Sequence, residues 1–269
     1  MNTTARRRLL PLALILAASL PAGAQELTDK TALRDPLQGV AEQLDEPGRE
    51  VLAAYPGYDG ERILRAVQAL EARAGTGAAR PDDGYVAALG YLELLVIRRY
   101  YAREDEAHMP TVLRDETDDG LAARGLAHAL AFAERNPKHS DVERVAGELI
   151  SFQISGPVSG MRKGPEAQAA IDRALQKDGG NAWAHFAVAR MHFHNPAMFG
   201  GDKEKALREL RLLSRAIQDF RVSLYLARCY QWKEAPGEAR YWARVAERQA
   251  PDNPEVRAML EQLRAAEEE

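Results

Sequence analysis

Apolar residues recur at spacings of three and four along most of the chain, and the periodic segments are separated by short breaks rich in Pro, Gly, Asn and Asp. Ile63, Val67 and Leu70, opened by Asp59 and closed by Gly75, predict one helix. A second is expected over 85–103, with Leu89 and the run Leu92, Leu94, Leu95, Val96 and Ile97, and its partner over 120–136, ended by Pro137. Ser140-Asp141-Val142-Glu143 has capping-box spacing and predicts a helix over 141–152, with a mate over 165–177 carrying Ala167, Ile171 and Ala174. Asn181 opens 182–193, which pairs with 202–217, and 220–253 reads as two short helices folded back on each other. Residues 25–57, broken by Pro36, Pro47 and Pro56, predict only short helices around 37–44 and 49–54. A single helix over 254–266 remains.

The hairpin over 220–253 has a specific signature. Leu226-Ala227, Tyr230, Ala239, Ala246 and Pro251 fall at the offsets of a 34-residue L-G-x-x-Y, A, P pattern. Leu226 and Tyr230 lie one turn apart on one face, while Ala239, Ala243 and Ala246 leave the second helix smooth enough for close approach. On these residues the chain resembles the tetratricopeptide repeat (TPR) family, departing from it at Ser223 (for Trp), Ala227 (for Gly) and Ala243 (for a large aromatic). The resemblance implies an all-α, TPR-like α-solenoid of about five hairpins over 58–253, with the helix over 254–269 capping the last repeat.

The repeats are unequal. Ala227 and Ala239 are 12 residues apart, but Ala189 and Ala206 are 17 apart, Gly147 and Ala167 20, and Gly90 and Gly125 35. The excess falls between the two helices of three successive repeats, at about 103–119, 153–164 and 194–201. Such turns project from one edge of a solenoid, so the insertions are expected to form a composite rim.

At 46% hydrophobic, 28% charged and 7% aromatic, the composition suits a soluble helical protein. Arg6-Arg7-Arg8, the apolar run 9–20 and Ala22-Gly23-Ala24 predict a signal peptide over 1–24, cut after Ala24. The run is shorter than the ~20 residues a membrane span needs. Removal takes away three Arg and no acid, moving the net charge from −4 to −7. A net acidic body argues against nucleic acid as a partner, which needs a concentrated basic stripe. The expected location is therefore the periplasm, with no membrane span in the mature chain. The lone Cys229 reads as a buried packing thiol.

In a solenoid the first helices line the concave side. The groove candidates are Tyr91 and Leu94, then Glu148 and Phe152, then Trp183, Phe186, Arg190 and Phe193. The last repeat adds Leu224, Arg228 and Trp232. Large aromatics and Arg are the residue types that carry binding energy in desolvated pockets; the other reading is packing between repeats. Arg190 and Arg228 hold equivalent places in adjacent repeats. They either take a carboxylate bidentately or pair internally, for instance with Glu148. His185, His192 and His194 do not share one face, so no metal is expected, and His192 stands where the repeat has its Tyr. Residues 156–164 (GPVSGMRKG) lack a Gly-Lys-Ser/Thr ending and read as a flexible insertion. Asn195–Lys205 (NPAMFGGDKEK) is similar to a turn in periplasmic TPR proteins associated with TRAP-type transporters, with Asp202 as the cap of the next helix.

Together these imply an exported, cofactor-free and non-catalytic scaffold. It either binds an envelope protein or peptide in a polar groove, or encloses an apolar small molecule or lipid beside a transporter component.

Overall fold

In a computed structural model the described residues are 27–197 and 200–268; the expected signal peptide lies outside them. They form thirteen α-helices. Short α1 (Pro36–Ala41) precedes α2 (Glu46–Ala54), α3 (Gly60–Gly75) and α4 (Asp83–Glu104). After the single turn α5 (Thr111–Arg114) come α6 (Asp118–Arg135), α7 (Ser140–Phe152), α8 (Pro157–Lys177) and α9 (Ala182–His194). The chain finishes with α10 (Lys203–Ala216), α11 (Phe220–Trp232), α12 (Pro236–Gln249) and α13 (Pro254–Glu268).

Five antiparallel hairpins stack in order: α2–α3, α4–α6, α7–α8, α9–α10 and α11–α12. The first helix of each packs on the first helix of the next, giving an inner layer of α2, α4, α7, α9 and α11. The fold is an all-α, TPR-like solenoid. Its first hairpin begins inside the segment whose prolines suggested irregular structure: Pro47 sits in the first turn of α2, where a missing N–H costs nothing.

The outer helices approach through small residues, Ala239, Ala243 and Ala246 on α12 and Ala167, Ala170 and Ala174 on α8, all buried. Gly147 is required by the same geometry. A Cβ there would stand 2.7 Å from the Ala167 carbonyl oxygen and 2.9 Å from Ile171 Cγ1. Side-chain caps fix several helix starts: Asp59 Oδ1 accepts from Arg62 N (3.0 Å), Asn181 Oδ1 from Ala184 N (2.9 Å) and Asp202 Oδ1 from Lys205 N (2.9 Å).

Three local expectations change. The cap of α7 is His139, whose Nδ1 accepts from Val142 N (3.2 Å), because Ser140 instead donates to the Ala174 carbonyl (2.8 Å) and Glu143 pairs with Arg173 and Lys177. Residues 157–164 are not a flexible insertion but the first two turns of α8, started by Pro157 and continued through Pro165. The expected rim is reduced accordingly. Most of 103–119 is also used by the scaffold, with Leu113 fully buried against the start of α3 at Gly60.

Two long-range contacts close the solenoid. Asn253, at the start of α13, is fully buried and donates to the Pro56 carbonyl (2.8 Å), while Tyr58 donates to Glu255 (2.5 Å) and Tyr55 packs against Phe220 with tilted rings 5.5 Å apart. The helix expected as an end cap thus joins the last hairpin to the first. On the other side, residues 27–35 strap the α8–α9 turn: Arg34 N donates to Gly180 O (2.7 Å), Ala182 N to Arg34 O (3.0 Å), and Arg34 pairs with Asp178. Gly180 admits the strap, since a Cβ would collide with the Ala32 carbonyl.

Candidate functional site

Closure turns the concave face into a chamber of about 260 Å³ walled by the inner helices. Side chains at successive turns enter it from four of them. From α4 come Glu93, Val96, Arg99 and Arg103; from α7, Arg144, Glu148 and Phe152. From α9 come Trp183, Phe186, Arg190 and His194; from α11, Arg221, Leu224 and Arg228. The helical period puts one residue per turn on the chamber wall, so the first turns meet at one level and the last turns at another.

The inner level is a closed ionic floor. Arg221 makes a two-pronged contact with Asp219 (2.8 and 2.9 Å), reaches Glu93 at 2.9 Å, and lies 4.1 Å from the Trp183 ring centroid and 4.6 Å from that of Tyr55. Burial pushes the Glu93 carboxyl up to about 7, outweighing Arg221 and Arg144. Arg144 is bound to fully buried Asp141, which also takes bonds from Tyr85 (2.6 Å) and Asn181 (3.2 Å). Burial raises the Asp141 pKa, but Arg144 and these bonds prevail and hold it below the usual range. Trp183 donates its indole N–H to Asp35 (2.9 Å), tying the floor to the N-terminal strap.

The waist is apolar, formed by Val96, Phe186 and Leu224 with Phe152 above them, and Arg99 lies 4.3 Å over the Phe152 ring. The outer level is basic. Arg190 bonds Glu148 (2.8 Å), which Arg144 shares at 3.0 Å, and Arg228 pairs with Glu255. Burial pushes the Glu255 carboxyl up, but Arg228 and the Tyr58 bond outweigh it and hold the carboxyl low. Arg99 shares Asp118 with Arg98. His194 is brought down to about 3 by burial and then by the charges of Arg190, Arg228, Arg103 and Lys203. It stays neutral, with Nε2 2.9 Å from the Tyr225 hydroxyl.

Of the residues expected in the groove, Glu148, Phe152, Trp183, Phe186, Arg190, Leu224 and Arg228 line the chamber. The other four lie elsewhere. Tyr91 points to the outer layer, bonding Glu71 (2.7 Å) and stacking on His128, and Leu94 is fully buried core. Around α4, Tyr91 lies about 160° and Leu94 about 100° from Glu93, which with Val96 and Arg103 faces the chamber. Phe193 and Trp232 flank Lys203, whose ammonium is 5.2 and 5.4 Å from their rings, and Trp232 is 42% exposed. His192 is buried with Nδ1 2.8 Å from Glu209, and His185 faces the Gly179 carbonyl (2.9 Å). Among the described residues no group of His, Cys, Asp and Glu could hold a metal ion.

The sequence reading missed Tyr55, Tyr58, Arg99, Arg103, Arg221 and Glu255. A stricter count along each helix offered part of them, since Arg221, Leu224 and Arg228 share one face as do Val96, Arg99 and Arg103. Tyr55, Tyr58 and Glu255 enter only through closure of the ring. Part of 195–205 lies outside the described residues; of the rest, Asp202 caps α10 as expected and its N–H donates to the His192 carbonyl (2.8 Å).

No protein-family model and no curated protein matches the sequence. Among solved structures, the chain is similar to a thermophilic TPR protein of Thermus thermophilus, with 16% identity and a TM-score of 0.54, over 81% of this chain and 97% of that one. At that identity the likeness concerns the fold.

Proposed function

We propose that the protein is an exported, non-catalytic binding protein that encloses a compact ligand with an apolar or aromatic body. The observation that carries this reading is the chamber on the concave face: α13 joins the first hairpin to the last, leaving a pocket of about 260 Å³ walled by Phe152, Trp183, Phe186 and Leu224 and open to solvent at Arg103. Enclosed, mostly apolar pockets with a few placed polar groups are the usual form of small-molecule sites.

The competing reading, an extended envelope peptide lying in a polar groove, asked for Arg190 and Arg228 without internal partners. Each has a carboxylate, Glu148 and Glu255. Export to the periplasm rests on the leader pattern of residues 1–24, and handing the ligand to a transporter component is the role that an exported binding protein of this kind would serve.

The test is titration with the neutral fluorophore N-phenyl-1-naphthylamine, with native mass spectrometry of protein purified from its own host. One probe per chain is expected, and Leu224→Trp, which fills the waist, should abolish uptake while circular dichroism stays unchanged. No uptake by the wild-type protein and no co-purifying small molecule would refute the reading.

A further inference from the structure

The outer level of the chamber carries more positive charge than its own carboxylates cover. Asp118 is divided between Arg98 and Arg99, and Glu148 between Arg144 and Arg190. Arg103 has no hydrogen bond or ion pair among the described residues, although it lines the chamber one turn beyond Arg99. Arg190 Nε is a buried donor with no acceptor, on a side chain whose Nη1 is bound to Glu148 and which also interacts with the Tyr225 side chain. A buried donor without an acceptor is costly, and a small rotation of the Arg190 side chain would let an oxygen in the chamber supply one.

The surroundings agree. Arg103 reaches solvent, yet its guanidinium is held below the usual range, first by partial desolvation and then by the neighbouring Arg99. Four cations act on neutral His194, and the rings of Phe186 and Tyr225 lie 5.8 and 5.7 Å from Arg190. Glu104, the remaining acid on this rim, is exposed at the end of α4 and makes no ion pair with Arg103. The net charge of the whole chain is −4, so this basic ring runs against the sign of the molecule as a whole.

We propose that the ligand carries one anionic head, a carboxylate or phosphate, held at the outer end of the chamber by Arg103 and Arg190 while its apolar body fills the waist between Phe152, Phe186 and Leu224. The assignment rests on the chamber being a ligand site and adds the chemical class. Guanidinium forks match planar or tetrahedral oxyanions, and cation–aromatic contacts already hold Arg99 and Arg190 in place for them. An anion at this level meets donors on both α4 and α9, whereas one at the floor would face Glu93 and two arginines already bound to Asp141 and Asp219.

The experiment compares three probes with one body on the full mature chain by calorimetry at pH 7.5: 2-naphthylacetic acid, 2-naphthyl phosphate and the neutral 2-naphthylacetamide. At least one anion should bind ten-fold or more tightly than the amide and lose affinity as salt is raised. Arg103→Gln, at an exposed position outside every ion pair described, should weaken the preferred anion about ten-fold and leave the amide unchanged. Which anion prevails tells a carboxylate head from a phosphate. Equal binding of all three, or an Arg103→Gln loss shared by the amide, would overturn the anionic head and leave the chamber reading standing. No binding by any of the three would remove both.

Discussion

If the ring is held shut where α13 meets the first hairpin, Asn253→Ala should open it at a cost that the structure allows to be worked out. Asn253 Oδ1 caps α13 by accepting from Glu255 N (3.0 Å) and Val256 N (3.1 Å), and Nδ2 donates to the Pro56 carbonyl (2.8 Å). Loss of an N-cap costs about 1 kcal/mol. The Pro56 carbonyl loses its partner in a half-buried setting, adding about 1 kcal/mol, the low end for such a group. The sum, about 2 kcal/mol, corresponds to a fall in Tm of roughly 4–8 °C for a chain of this size. Asn253→Asp separates the two terms, because a carboxylate still caps the helix but repels the carbonyl it faces. Calorimetry gives the Tm values, and hydrogen exchange across 55–58 and 254–258 shows whether the two segments loosen together. A Tm within 1 °C of wild type, or faster exchange in α13 with 55–58 unchanged, would show that the ends are not coupled and that closure is incidental.

Three further outcomes are expected. Gly147→Ala places a Cβ 2.7 Å from a backbone oxygen, so it should destabilise by up to about 2 kcal/mol in urea melts after the roughly 1 kcal/mol gained in helix propensity; a stabilised variant would mean that α7 and α8 are not in close contact. Glu93, at about 7 in the folded state against 4.5 as its ordinary value, favours folding in its neutral form. That contribution is complete below about pH 4.5 and lost as pH rises through 7, so Glu93→Gln should gain on the order of 3 kcal/mol over wild type between pH 4.5 and 8.5. Parallel stability curves for the two proteins would refute it. Cys229 is fully buried and burial pushes its thiol up to about 12, so it should resist iodoacetamide at pH 8 and label only with global unfolding in guanidinium.

Much of the fold was legible because its determinants are local. The caps at Asp59, Asn181 and Asp202 each act within three residues, and the paired small residues, such as Gly147 against Ala167, fix how hairpins nest. Where local signals competed, tertiary partners decided. Ser140 yielded the cap of α7 to His139 because the Ala174 carbonyl on α8 was within reach, and Pro157 began α8 eight residues before Pro165, at the first place a proline is harmless.

The sequence by itself determined a helical repeat: a 3.6-residue apolar period, small residues at fixed offsets, and aromatics and arginines on the leading helices. Tertiary structure alone decided that the repeat closes within one turn, because closure depends on Asn253 meeting Pro56 and Tyr58 meeting Glu255, contacts 197 residues apart with no spacing rule to announce them. It also decided which arginines have partners. Which face of α4 turns inward was settled by its neighbours: Arg103 lies in the chamber and Tyr91, about 120° round the same helix, in the outer layer, and the continuous apolar run over 92–97 gave a count of threes and fours no single face to choose.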